Sequence, residues 1–397
     1  MALALSGLRI WDGKSETLGP AREVLRIDGE RIAALGGEVE PGDDDEVIAL
    51  DGATALPGLI DAHVHLTLDP VIRTPEDQMR VGPEALAAAM AERARAMVEA
   101  GITTARDLGG GAWHELALRD RIALFEIPGP RLLCAGQPVT SPKGHCWFWG
   151  GEARGAEEAR GVVRRQVERG ADWIKVMATG GVLTAGTKPS DAQFEQVELD
   201  AIVAEARAHG RHVAAHCHGT SGIERAARAG ARTIEHCSFA SEQGFGSAPD
   251  ADLVSLIARA GSWISPTVNT GFARFFGEDG SPGKFATRMG EAYTSLRRAG
   301  VPFIASTDAG IPNVAHHRLP EALAVFARLA GLRPVEALRA ATSECARALG
   351  LEGVTGELRA GLAADVLIVD GNPLEDLSAL LRPILVVARG RVVRALG

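Results

Sequence analysis

From Pro57 to about residue 310 the sequence alternates short apolar runs with longer stretches rich in Ala, Arg and Glu, and this alternation limits the fold more than any other feature. The apolar runs fall at 58–64, 103–107, 131–135, 173–177, 212–217, 233–238, 263–268 and 303–307. Each has the length of a strand. Between them, 83–100, 157–169, 197–209 and 287–299 have helical composition and are closed by Gly101, Gly170, Gly210 and Gly300. Glycine is favoured at that position because it tolerates positive φ. Strand, loop and helix in repetition demand parallel strands joined by helical crossovers. Eight such strands close a (β/α)8 barrel, so the predicted class is α/β.

The flanks follow a different rule. Within residues 1–56, alternating runs at Leu8–Trp11, Val24–Ile27, Arg31–Leu35 and Val47–Leu50 are separated by Asp-Gly and Gly-Gly turns, an antiparallel pattern. Short strands return after Gly356, at Asp365–Asp370 and Ile384–Val393. Neither end has enough strands to bury a face alone, so the two are expected to pack together as one small β-sandwich beside the barrel. The predicted division is 1–56, 57–350 and 351–397, without an internal repeat.

Composition excludes some function classes. A content of 46% hydrophobic and 23% charged residues is that of a globular chain rather than a disordered or fibrous one. A net charge of −9 without a basic cluster argues against a nucleic-acid partner, which needs a concentrated positive face. The opening Met-Ala-Leu-Ala-Leu-Ser is too short an apolar run for a secretory core or a membrane span, so a cytoplasmic protein without membrane attachment is expected. Five scattered cysteines with no Cys-x-x-Cys make neither a disulfide framework nor a thiolate zinc site, and read as reduced core residues.

The chemistry emerges from the polar residues at strand ends, because the C-terminal ends of barrel strands share one mouth. In Asp61-Ala-His63-Val-His65 the two histidines, two residues apart on a strand, face the same side and form half a metal site, although polar strand ends also carry such pairs. Lys175 lies in the apolar strand Trp173–Met177, while His216, His236 and Asp308 stand at the ends of the fifth, sixth and eighth strands. A buried lysine is costly as a cation and tends to lose its proton. The free amine can add carbon dioxide to give a carbamate, a carboxylate able to bridge two metals. Imidazole nitrogen and carboxylate oxygen together suit zinc, with manganese, cobalt or iron served by the same ligand types.

This set, Asp61-Ala-His-Val-His65, Ile174-Lys175-Val, Ala215-His216, Ile234-Glu-His236 and Ser306-Thr-Asp308, resembles the amidohydrolase superfamily, in its imidazolonepropionase-like and prolidase-like branch of metal-dependent dipeptidases and carboxypeptidases. The resemblance runs over nearly the whole chain, to Gly361-Leu-Ala-Ala-Asp365-Val. It implies that His63, His65 and Asp308 hold one divalent metal, that His216 and His236 hold a second, and that a carbamate on Lys175 bridges them. Two cations sharing a water would supply a hydroxide near neutral pH, with Asp308 as general base and acid. In prolidase-like relatives a histidine after the third strand holds the carbonyl oxygen, and His145 in Gly144-His145-Cys is the matching position.

The remaining candidates concern the substrate. His218 shares a face with His216 and could touch substrate, where some relatives carry tyrosine. Trp147 and Trp149 could form an apolar wall, and Arg274, on a lid predicted at 269–286, or Lys143 could meet a carboxylate. Cys217 and Cys237 are turned by alternation to the helix layer. His114, His209 and His212 fall away from the mouth, and His316 and His317 follow the eighth strand at a distance. The expected activity is hydrolysis of an amide bond in a dipeptide or N-acyl amino acid. Hydrolysis of a cyclic amide or lactone on the same metals, and a Schiff-base lyase using Lys175, are the alternatives. The expected partners are a small-molecule substrate and further copies of the chain.

Overall fold

The computed structural model describes residues 2–395. Five strands open the chain: β1 (Leu3–Ile10), β2 (Glu23–Asp28), β3 (Arg31–Gly36), β4 (Glu46–Ala49) and β5 (Thr54–Pro57). Seven more follow between the helices: β6 (Leu59–Val64), β7 (Ile102–Asp107), β8 (Arg131–Cys134), β9 (Trp173–Met177), β10 (His212–Gly219), β11 (Thr233–Ala240) and β12 (Trp263–Ser265). The chain closes with β13 (Val366–Val369), β14 (Pro383–Ala388) and β15 (Arg391–Ala395).

The two ends meet through backbone hydrogen bonds. Their strands run in the order β15-β14-β13-β5-β1-β2-β3, with β4 also on β1. The joint is β5, parallel to β1 on one side and antiparallel to β13 on the other. Residues spaced two apart, Leu25 and Ile27, Val366 and Ile368, Leu385 and Val387, fill one apolar core with Leu5, Leu8 and Ile32. The ladder of β1 shifts register between Leu5 and Leu8. Gly7 makes that shift with φ +81, where a Cβ would lie 2.3 Å from Asp51 Oδ1.

Between the ends, β6-β7-β8 and β12-β11-β10-β9 form two parallel sheets. Isolated bridges link them, Val139 to Val176 on one side, Ile264 to Phe303 and Val64 to Ala309 on the other. The helices Pro83–Glu99, Gly155–Glu168, Gln196–Ala208 and Lys284–Arg298 lie within a few residues of their predicted bounds. Gly101, Gly170, Gly210 and Gly300 all take positive φ.

Two predicted strands come out differently. The run 263–268 stops at Ser265 because Pro266 has no N–H to give, and the Thr267 N–H goes to Ser306 Oγ at 2.9 Å. The run 303–307 makes bridges rather than a ladder, since the Thr307 N–H is taken by Asp61 Oδ1 at 3.1 Å. The loop read as a lid at 269–286 also contains structure: a 3-10 turn, Thr270–Phe275, capped by the Asn269 side chain, and the start of a helix at Lys284.

Candidate active site

Strict strand alternation does not deliver His63 and His65 to the interior. On β6, Ile60 and Ala62 pack with Trp173, Ala214, Trp263 and Ile304 in a small inner cluster, whereas Leu59, Val64 and Leu66 belong to the core that holds helical Met90 and Met97. The β6–β7 register shifts between Asp61 and Val64, and this irregularity places His63 on the same side as Ala62. On β11 the break lies at His236, whose φ of 65° lets Glu235 and His236 both face inward. Asp308 likewise has φ 61°.

His63, His65 and Asp308 form a tight triangle. The two Nε2 atoms are 3.2 Å apart, and they lie 3.3 and 3.4 Å from Asp308 Oδ1. His63 Nδ1–H donates to Glu235 Oε2 at 2.9 Å, and His65 Nδ1–H donates to the Gly109 carbonyl at 2.8 Å. With each Nδ1–H engaged behind its ring, the two Nε2 atoms turn toward each other and toward a carboxylate. Three acceptors this close repel unless a cation sits among them. Three tetrahedral ligands, each about 2.0–2.1 Å from one zinc ion, stand about 3.3 Å apart. The donor set fits a divalent metal.

A second group lies beside the first, with one ring nitrogen each from His216, His218 and His236 within 4.8 Å of the others. His216 Nε2–H donates to the Gly180 carbonyl at 3.1 Å, and His236 Nδ1 pairs with Thr267 Oγ1 at 2.8 Å. Lys175 Nζ stands between the groups, 3.4 Å from His63 Nε2. Burial depresses the pKa of Lys175 and holds His216 and His236 well below the ordinary imidazole value. His63 and His218 fall to about 4, with burial again the leading cause. Burial alone would raise Asp308, yet His63, His65 and Lys175 outweigh it and hold the carboxyl well below the usual range. Burial thus disfavours the protonated form of Lys175, His63, His216, His218 and His236 around a carboxyl held toward its ionised form.

The residues that orient this set escape a sequence reading. Glu235 is fully buried between His63 and the equally buried Arg106, whose guanidinium donates to Glu235 Oε1 at 2.8 Å and to the Ala62 carbonyl at 2.7 Å. Alternation alone turns Glu235 away from the His236 side, so only the left-handed residue reveals it. Asp61 accepts the Thr307 hydroxyl at 2.6 Å and ties β6 to the segment carrying Asp308. His316, predicted remote, donates from Nε2 to the His65 carbonyl at 3.0 Å.

These side chains floor a cavity of about 480 Å³, walled by Leu68, Trp149, Met177, Leu183, Phe272 and Ile311. His145 and His218 reach it as expected. The His145 ring stands 4.6 Å from that of His216, its Nδ1 has no hydrogen-bond partner, and burial lowers its pKa to about 3. Trp149 packs 5.3 Å from His65, whereas Trp147 is 45% exposed and lies outside the lining. Arg274 is also outside it, with its guanidinium 4.7 Å above the Phe275 ring. Lys143 does not line the cavity either, and Arg73 is the arginine that does. Cys217 and Cys237 pack in the outer core.

Imidazoles and a carboxylate gathered at the C-terminal ends of parallel strands, inside an apolar-walled cavity, suit a hydrolase. Residues 54–393 match the model of the amidohydrolase family, and the chain belongs to that family. It is 30% identical over 362 residues to the ochratoxinase of Aspergillus niger, a match covering 83% of this chain and 72% of the relative. It is 27% identical over 361 residues to the imidazolonepropionase of Chromobacterium violaceum, covering 84% and 81%. Among solved structures, a Xaa-Pro dipeptidase with methionine bound in its active site superposes with a TM-score of 0.86 at 28% identity, over 99% of both chains.

Proposed function

We propose that the protein is a binuclear metal-dependent hydrolase that cleaves the amide bond of an N-acyl amino acid or dipeptide carrying an apolar or aromatic group and a free carboxylate. The observation that carries this reading is the triangle of His63 Nε2, His65 Nε2 and Asp308 Oδ1, three ligand atoms 3.2–3.4 Å apart. On this reading His63, His65 and Asp308 hold one ion, His216 and His236 hold the other, and Lys175 joins them as a carbamate. Two divalent ions, zinc by the donor set, would lower the pKa of water and polarise the scissile carbonyl. Asp308 accepts the proton of the attacking water and returns it to the departing nitrogen. His145, neutral and facing the cavity, donates to the carbonyl oxygen as charge builds there.

Leu68, Trp149, Met177 and Phe272 favour an apolar acyl group or side chain, and Arg73 at the cavity wall replaces Arg274 as the partner for the carboxylate. The names of the ochratoxinase and the Xaa-Pro dipeptidase agree with an amide substrate. The imidazolonepropionase relative keeps the cyclic-amide reading as the runner-up. A Schiff-base lyase is disfavoured, because Lys175 Nζ faces His63 and a lyase would leave the histidines without a role.

The same reading closes the parallel strands into a (β/α)8 barrel at 57–350, supported by the bridges on both sides of the two sheets, with 1–56 and 351–397 forming the companion β-sandwich. Five free buried cysteines fit a reducing, cytoplasmic setting, and no helix among the described residues is long and apolar enough to cross a membrane. Further copies of the chain remain the proposed partners.

The test is a paired assay on metal-loaded protein, using one N-acyl aromatic amino acid as free acid and as C-terminal amide. Preference for the acid by about tenfold or more in kcat/KM, an exposed-to-partly-buried charge contact of at least 1.4 kcal/mol, supports the reading. Equal values would remove carboxylate recognition and move the cyclic amide or lactone ahead.

A further inference from the structure

The histidine cavity lies at the C-terminal ends of β10 and β11, and a second pocket of about 320 Å³ opens at their other ends, where both strands begin. Its charged and imidazole lining is Arg207, Arg211, His212 and Arg232, and no carboxylate takes part. Glu205, two residues before Arg207, is engaged with Arg164 and His209. Arg232 donates to the carbonyls of Ala348 and Arg347 at 3.1 and 2.9 Å. Arg211 Nε, by contrast, is buried without a hydrogen-bond partner among the described residues. The Arg207 guanidinium reaches across to the Gly230 turn, where its Nη2 lies 3.4 Å from the place of an added Cβ. A buried donor left unpaired costs free energy that a bound acceptor recovers.

Helix ends do not account for this much positive charge. The helices Gln196–Ala208, Thr220–Ala229 and Ala251–Ala260 all finish beside the pocket. Their three C-terminal ends together supply only about −1.5 of charge, against the guanidiniums of Arg207, Arg211 and Arg232. Backbone N–H groups of Gly210, Arg211, Gly230, Ala231 and Gly261 already bond to carbonyls in the last turns. The local field is therefore positive, and His212 registers it: burial, then Arg232 and Arg106, lower its pKa. We propose that this pocket binds the phosphate group of a small anionic ligand, with Arg207, Arg211 and Arg232 as its cationic contacts and His212 as a further hydrogen-bond donor. Planar guanidiniums offer paired N–H groups that match phosphate oxygens. The volume is at the low end of small-ligand pockets and leaves room for an organic group beyond the phosphate. Because the site stands at the opposite end of β10 and β11 from the histidines, it does not rest on the metal-dependent reading.

The test titrates inorganic phosphate and glycerol 3-phosphate into the metal-loaded wild-type protein and into Arg207→Gln and Arg211→Gln, with binding followed by calorimetry. The wild type should bind at least one probe saturably, and more weakly as NaCl is added. Each variant removes a charge-assisted contact and should raise the dissociation constant at least about tenfold. Neither residue lines the histidine cavity, so phosphate held by ions there would bind alike in all three proteins. Tighter binding of glycerol 3-phosphate than of phosphate assigns the site to phosphate monoesters, and the reverse assigns it to the free anion. No saturable binding of either probe, or one dissociation constant shared by the wild type and both variants, would overturn the proposal. Arg207 is exposed, so Arg207→Gln decides the matter alone if Arg211→Gln folds poorly.

Discussion

On the proposed reading, Asp308 and His145 would separate proton transfer from oxyanion stabilisation, because Asp308 belongs to the triangle with His63 and His65 and His145 stands against His216 instead. In Asp308→Asn an amide oxygen still reaches the ligand position but cannot accept a proton. That variant should keep much of its metal by elemental analysis and lose at least about 10³-fold in kcat. Near-normal turnover would dismiss Asp308 as the general base. His145 touches no ligand carboxylate, and its Nδ1 is unpartnered. His145→Ala should therefore leave metal content intact and lower kcat about 100-fold, with KM less affected. The two roles differ in legibility. The strand-end position of Asp308 can be read from Phe303–Asp308 as a polar stop after an apolar run. The aim of His145 depends on a loop in which Lys143 and Cys146 both take positive φ, which composition does not reveal.

Single elements carry two further expectations. The His145 ring rests against Gly181 in the loop after β9, where an added Cβ would lie 2.4 Å from Nε2. Gly181→Ala should push the ring aside and reproduce part of the His145→Ala loss in kcat at full metal content. Unchanged kcat would mean that the ring position is not critical. The first turn of the helix His114–Ala123 buries Glu115 completely, and neither carboxyl oxygen has a hydrogen-bond partner. Burial, with Asp107 nearby, pushes its pKa up to about 8. A carboxyl raised above its unfolded value of about 4.3 binds more protons when folded, so its contribution to stability is present at low pH and is lost as pH rises toward 8. Glu115→Gln does not titrate. Urea unfolding at pH 5 and pH 8 should show the variant gaining on the wild type at the higher pH. A pH-independent difference would show that Glu115 is already ionised in the folded protein.

At the scale of the whole molecule, the proposed metal site would be a tie between segments as distant as β6 and Asp308. Ions that bind only the folded state stabilise it by about 4 kcal/mol when free metal is a thousandfold above the dissociation constant. Chelation should lower Tm measurably, and zinc should restore it. An unchanged Tm would mean that the donors are rigid without an ion. The sequence alone determined the parallel strand-and-helix order, the helix ends at Gly101, Gly170, Gly210 and Gly300, and the convergence of His63, His65, Lys175, His216, His236 and Asp308 on one cavity, because apolar period, chain stops and strand-end position are local properties. Tertiary structure decided the rest. His236 joins Glu235 on the inner side only because His236 is left-handed, and His63 faces inward only because the β6 register shifts beside β7. Trp149 rather than Trp147, and Arg73 rather than Arg274, reach the cavity because a 3-10 turn and the loop after β6 direct them there. Those choices depend on which backbone hydrogen bonds distant segments can make together, and no window of residues contains that information.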